Sequence, residues 1–250
     1  GPGPWRNGCR PLGSPRTGYF CIMPAPIYLD HAATTPVRPE VLEAMLPFHG
    51  PRFGNPSSTH RWGREARAAL DEARERVANC LGANADEVCF TSGGTEGDNL
   101  AILGGWRVLK AKGRRGVATS PIEHKAVLQS VHQAAAEGAD ERFIDVDATG
   151  TVRLDSAREQ VRGDTALCSV IWVNHEIGTI QPLDALAQHA RSQGALFHTD
   201  AVQAFGKVTI DADGPGVHYA VGAAFQGLRQ GERATDSFTY TMVDAAGAAS

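Results

Sequence analysis

The sequence predicts an α/β fold: a mainly parallel sheet with helices on both faces. Three observations predict it. From Gly116 to Asp200, short strand-like segments alternate with helical periodicities, the rhythm of βαβ units. One segment, Ala166 to Val173, reads ALCSVIWV, the continuous apolar run that a strand buried on both faces requires. Small and polar residues cluster where strands would end: Thr91 to Thr95, Ser120 to His124, Asn174 to Gly178 and Asp200 to Gln203. Ligands of such sheets bind beyond the C-terminal ends of the strands.

The elements follow in order. Residues 1–23 are rich in Gly, Pro and Arg and lack the apolar centre of a secretion signal, so a disordered extension is expected there, with the domain starting near Met23. Ile27 to Leu29 then lead into Asp30, His31 and a run of small residues ending at Pro36. That run leaves room for a ligand close to the backbone. PEVLEAM, Pro39 to Met45, opens a helix with proline where its missing N–H does no harm. A polar turn cluster, FGNPSSTH from Phe53 to His60, precedes a long amphipathic helix from Arg61 that Gly82 closes.

VCFTSGGTEG, Val88 to Gly97, reads as a short apolar strand, a Gly-Gly turn and the start of a helix that runs to Leu109. Such a turn gathers free N–H groups and the positive helix end around one point, which suits a phosphate. It has neither the third glycine of a dinucleotide loop nor the Gly-Lys-Ser/Thr of a P-loop, and Thr95 as a plain cap is the commonplace alternative. Strands are then expected at Gly116 to Ser120, Arg142 to Val146, Ala166 to Val173 and Gly194 to Phe197, with helices at His124 to Glu137, Leu154 to Val161 and Leu183 to Ser192.

With 250 residues, 42% of them hydrophobic, the chain can bury the core of one large or two small domains. A net charge of −4 without blocks of like charge implies neither nucleic acid nor an anionic membrane as partner. Five scattered cysteines with no C-x-x-C pair suit a reducing cytoplasm and supply no zinc framework, so no metal site is expected. No apolar run approaches a membrane span.

The strand ends together offer a phosphate turn, an imidazole (His124), polar groups (Asn174, His175, Glu176) and a carboxylate with an amide three residues on (Asp200, Gln203). Singly, each has a commonplace structural use as a turn cap or satisfied hydrogen-bonder. Jointly they are the set that pyridoxal 5'-phosphate (PLP) needs: a carboxylate for the pyridine nitrogen, a flat ring to stack, a polar group for the ring hydroxyl and N–H groups for the phosphate.

The runs IYLDHAATTPVRPEV, FGNPSSTHRWGREAR, FTSGGTEGDNLAI, EHKAVL, VNHEIGTIQP and FHTDAVQAFGKVTID resemble, in order, the cysteine desulfurase and selenocysteine lyase group of class V, fold-type I PLP enzymes. The resemblance covers about residues 24–211. It implies the three-layer α/β/α large domain of that fold and a lyase that takes sulfur from L-cysteine, or selenium from selenocysteine, leaving alanine and a persulfide. It also implies a sulfur-acceptor protein in iron–sulfur cluster or tRNA thiolation pathways, a homodimer and a cytoplasmic setting. By motif, Gly94 and Thr95 would hold the phosphate, His124 would stack on the ring and act catalytically in proton transfer, Asp200 would pair with the pyridine nitrogen, and Gln203 would reach the ring hydroxyl.

Three departures from the family pattern stand out. The family's Asn-Asn-Glu carries His175 in place of its second Asn. The family's Ser-x-His-Lys, whose lysine forms the Schiff base, should follow Asp200 by roughly two dozen residues; no such motif occurs, and Lys207 is the only lysine after Asp200. A C-terminal domain with a substrate-binding arginine and a persulfide cysteine has no counterpart. The expectation is a truncated, fused or mispredicted family member, inactive as given. Two alternatives are another class V aminotransferase or lyase, and a non-catalytic fragment that binds PLP, another phosphate ligand or a partner.

Residues 212–250 break the helix–strand alternation. Ser237 to Val243 alternates apolar and polar, as a half-buried antiparallel strand does. AAFQGL, GERATDSFTYT and DAAG resemble the closing half of a bacterial cadherin-like (VCBS-type) adhesin repeat. In the family's sheet, two strands from beyond this junction lie between those ending at Asp200 and Thr91, so exposed edges are expected.

Overall fold

A computed structural model describes residues 27–206 and, for the backbone alone, strands at Val208–Ile210, Gly216–Tyr219 and Asp236–Thr239. The expected N-terminal extension, Lys207 and most of the tail lie outside the described residues.

Helix α1 spans Pro39–Met45 and α2 spans Arg61–Leu81, both as expected from their proline start and glycine stop. Gly82 ends α2 at φ 63, a left-handed conformation that glycine adopts without cost. Then come α3 (Gly94–Lys110), β1 (Gly116–Thr119), α4 (Lys125–Ala136), β2 (Asp140–Phe143), α5 (Leu154–Gln160), β3 (Thr165–Ser169), α6 (Leu183–Ser192) and β4 (Leu196–His198). The strands form one parallel sheet in the order β2-β1-β3-β4.

Alternation along the strands builds a core on each face. Val117 packs with Ile102 and Trp106 of α3 and Val127 and Val131 of α4. Its neighbour Ala118 points the other way, into Ala157 of α5 and Leu186 and Ala190 of α6. All five residues of β3 are buried, and the strand starts at Thr165 and stops at Ser169, four residues short of the Ala166 to Val173 run expected of it. The run stays buried through Ile171 because Val170 and Trp172 donate their N–H groups to the carbonyls of His198 and Asp200. Each large core side chain so buried contributes roughly 1.5–3 kcal/mol.

Two further elements depart from expectation. Strand β2 starts at Asp140 and stops at Phe143, two or three residues earlier than the apolar pattern places it. Buried Arg142 anchors it, its guanidinium 2.6 Å from the carboxylates of both Asp140 and Asp164. Val146 instead bridges to Val152 in a small antiparallel turn. Val88–Thr91 is extended at Val88 (φ −94, ψ 118) but pairs with no strand among the described residues. Its Phe90 is 45% exposed, and β4, at the sheet's edge, leaves Leu196 48% exposed.

Elsewhere, α1 buries no residue and α2 buries only Gly63 and Ala78. The backbone strands β5 (Val208–Ile210), β6 (Gly216–Tyr219) and β7 (Asp236–Thr239) form an antiparallel sheet in that order. β7 overlaps the start of the strand expected at Ser237 to Val243. Among the described residues no helix is long and apolar enough to cross a membrane.

Candidate functional site

In the order β2-β1-β3-β4, the chain winds one way from β1 and then the other, so the crevice beyond β1 and β3 is a topological switch point. A cavity of ≈330 Å³ lies there, at the low end of small-molecule pockets. Gly94, Thr95, His124, Asp200 and Gln203, the residues singled out from sequence, all line it. Ala32 and Ala33 of the small-residue run complete one wall.

Gly94 and Thr95 open α3. The N-cap is Gly93 rather than Thr95, and no side chain caps the helix end. Glu96, the acid of the first turn, accepts the N–H and hydroxyl of Ser92 at 2.7 and 2.6 Å, and these bonds hold its carboxyl below its ordinary value. The remaining first-turn N–H groups and the positive helix end suit an anion. A Cβ on Gly94 would stand 3.1 Å from Val202 Cγ2, so a side chain there would press on the cavity wall.

His124 is the N-cap of α4: its Nδ1 accepts the Ala126 N–H at 3.2 Å. In the neutral ring the proton therefore sits on Nε2. Asp200 Oδ1 accepts the Val202 N–H at 2.9 Å, and Gln203 Nε2 donates to the Ala32 carbonyl at 2.7 Å. Turn-building and cavity-lining roles thus coexist in the same side chains. His175 meets His124 edge-on, with ring centroids 5.2 Å apart, and its buried Nδ1 has no partner. Asn174 presents it: the amide donates to the Ile122 carbonyl and accepts the N–H groups of Glu176 and Ile177.

The sequence reading passed over four residues. Asp98, 6% exposed, lies one helical turn beyond Gly94 and lines the cavity. One polar atom each from Asp98, His124 and Asp200 lie within 4.8 Å of one another. Burial first, then the Asp200 charge, pushes the Asp98 carboxyl up to about 6 against the pull of His124. His198 Nε2 is 3.7 Å from Asp98 Oδ1, and its Nδ1 is 2.8 Å from Ser169 Oγ. Burial holds that imidazole below its ordinary value. Glu123 takes the Ile171 N–H at 2.9 Å and the Ser120 hydroxyl, and burial pushes it up to about 8. Because His124 Nε2 offers a proton rather than a lone pair, the trio of Asp98, His124 and Asp200 handles protons better than it ligates a metal.

None of the described cysteines or lysines lines the cavity. Cys168 is buried and its thiol is pushed up to about 12, so it is not a nucleophile. Cys9, Cys21 and Lys207 lie outside the described residues.

The donor set fits PLP as a held ligand. The lining has an uncapped helix end that would suit the phosphate, a carboxylate that would suit the ring nitrogen and an imidazole that would suit the ring, and the buried His175 Nδ1 has no partner. Fold and cavity define a parallel α/β domain with a small-molecule-sized cavity at its switch point. Comparison with known sequences is specific: the chain belongs to the aminotransferase class-V family, whose model matches residues 27–224. Class V aminotransferases are PLP-dependent. "Cysteine desulfurase IscS" of Dictyoglomus turgidum is 47% identical over 191 residues, 76% of this chain and 48% of that protein. Among solved structures, "NIFS-LIKE PROTEIN" matches with TM-score 0.69 and 39% identity over 72% of this chain and 50% of that one. "SspA in complex with cysteine" matches with TM-score 0.69 and 38% identity, covering 75% and 54%. The chain spans about half the length of the curated relatives it matches.

Proposed function

We propose that this chain is the cofactor-holding portion of a cysteine desulfurase-like protein, that it binds PLP without a covalent bond, and that as given it does not turn over cysteine. The observation that carries the reading is the convergence of Gly94, Thr95, His124, Asp200 and Gln203, from separate segments, on one cavity. Bound PLP supplies an electron-accepting ring that stabilises negative charge on a substrate carbon. The N-terminus of α3 would hold the phosphate through Gly94 and Thr95. Asp200 would accept the ring N–H, and Gln203, steadied by Ala32, would meet the ring hydroxyl. His124 would lie against the ring with Nε2 available for proton transfer, its tautomer fixed by the Ala126 N–H.

The reading extends to L-cysteine as substrate, which the relatives' names support, and to selenocysteine, a sulfur-acceptor protein, a homodimer and a cytoplasmic setting, which rest on the resemblance alone. It divides the chain into a PLP-binding portion at 24–211 and an adhesin-like tail at 212–250. The inactivity rests on the lysine content: Lys207 alone follows Asp200, and no described lysine lines the cavity.

Titration calorimetry with PLP tests the binding, with Asp200→Asn expected to weaken it about tenfold or more, the worth of a charged hydrogen bond. Borohydride treatment followed by mass spectrometry is expected to leave no lysine adduct. Absence of binding defeats the reading. A trapped lysine together with sulfide release from cysteine defeats the inactivity.

A further inference from the structure

Asp98 and Asp200 are buried carboxylates, 6% and 7% exposed, facing one spot from different elements. Asp98 comes from α3, and Asp200 from the segment after β4. Among the described residues no lysine or arginine lines the cavity around them. The groups facing Asp98 are Asp200, the His124 imidazole at the head of α4, His198 on β4 and, further off, Glu123 in the loop before α4. The 3.7 Å gap to His198 is too long for a hydrogen bond. His198 is also buried beside Ser169, where the charged imidazolium is disfavoured. Two buried carboxylates within 4.8 Å of each other and of the His124 imidazole, with no lysine or arginine in the described lining, favour a proton or a cationic guest.

We propose that Asp98 is a positioning acid of this site: in mild acid it carries a proton while the cavity is empty and releases it to solvent when a cationic ring nitrogen pairs with Asp200, and at higher pH its charge adds to that of Asp200 in holding the ring. The inference rests on the PLP reading for the identity of the guest, and on the geometry alone for the pair of carboxylates. Its direct consequence is that Asp98 selects for a protonated heteroaromatic ring rather than for any phosphate. With Asp98 ionised the cavity presents two negative charges to the ring N–H, and with Asp98 protonated it presents one. The upward push on Asp98, to about 6, sets where the change falls.

The test compares the wild type with Asp98→Asn, an isostere without charge, by PLP titration at pH 5.0 and 7.5. At pH 7.5 the wild type is expected to bind about tenfold more tightly, the effect of one extra charge several ångströms away in a medium between water and protein. At pH 5.0 the two are expected to converge, because Asp98 is then neutral in both. Titration of the PLP phosphate affects both proteins equally and cancels. Calorimetry of the wild type at pH 6 in buffers of different ionisation enthalpy is expected to show proton release on PLP binding, which needs no variant to fold. An affinity ratio that does not change with pH, or no proton released, overturns the proposal. In the ligand-free protein, carboxyl ¹³C titration is expected to show Asp98 falling back toward the ordinary aspartate range in Asp200→Asn. That fall in a protein that binds no PLP would uphold the carboxylate pair and defeat the cofactor reading. No change in Asp98 on losing the Asp200 charge overturns the pair.

Discussion

Glu123 sits 5% exposed between the end of β1 and the head of α4, tying Ser120 to Ile171. Its second oxygen is buried without a partner, so the side chain is held as the neutral acid. A carboxyl whose native pKa is raised keeps its proton in the folded state while the unfolded chain has already released it. Stability therefore falls as pH rises from the ordinary glutamate range toward about 8. Each unit of that window is worth about 1.4 kcal/mol, and Asp98 adds a share up to about 6. Glu123→Gln keeps the acceptor for Ile171 and removes the titration. It is expected to flatten the fall in stability between pH 5 and 8, read from denaturant midpoints, and to exceed the wild type at pH 8. Equal slopes in the two proteins would rule the account out. At this scale the sequence exposed the strand-tip residues, because glycine pairs, imidazoles and carboxylates after apolar runs are visible as type and position. Asp98, Glu123, His198 and Ser169 stayed hidden. A helical period from Gly94, an alternation from Asp200 and the register of Ser169 opposite His198 are needed to find three of them.

Helix α2 shows how an element can be legible and still loosely held. Its bounds are those its glycine stop and polar start announce, and exposed pairs such as Arg61 with Glu65 and Arg67 with Asp71 lace its surface. Solvent screens such exposed pairs, so they hold the helix only weakly. What fastens its first turn is contact with the preceding loop: a Cβ on Gly63 would stand 2.1 Å from the Ser58 carbonyl oxygen, and the Gly63 N–H bonds to His60 Nδ1 at 3.3 Å. Gly63→Ala is expected to cost about 1–3 kcal/mol locally. Amide exchange should speed up in residues 58–66 while protection in β1 and β3 stays unchanged. Loss of protection throughout the sheet would show that α2 is integral to the core. The strands were harder to bound than the helices. β2 obeys the Arg142 ion pairs rather than apolar periodicity, and Val88–Thr91 has strand composition without a ladder, since composition does not supply the neighbour.

At the scale of the whole molecule, the described residues are well packed around β1 and β3 and open along their margins. Phe90 on the unpaired segment, Leu196 on β4, and Val202 and Phe205 just beyond it are all exposed. Unpaired backbone beside apolar side chains invites edge-to-edge association. The wild type is expected to self-associate with rising concentration in light scattering, and Phe90→Lys to reduce this without altering far-ultraviolet circular dichroism. A wild type that stays monodisperse would contradict this.

Both open backbones run straight to the walls of the cavity, Val88–Thr91 into Gly94 and Thr95, β4 into Asp200 and Gln203. A polypeptide that pairs with either amide row therefore presses on a wall of the vestibule, and such pairing is expected to change how tightly the cavity holds its guest.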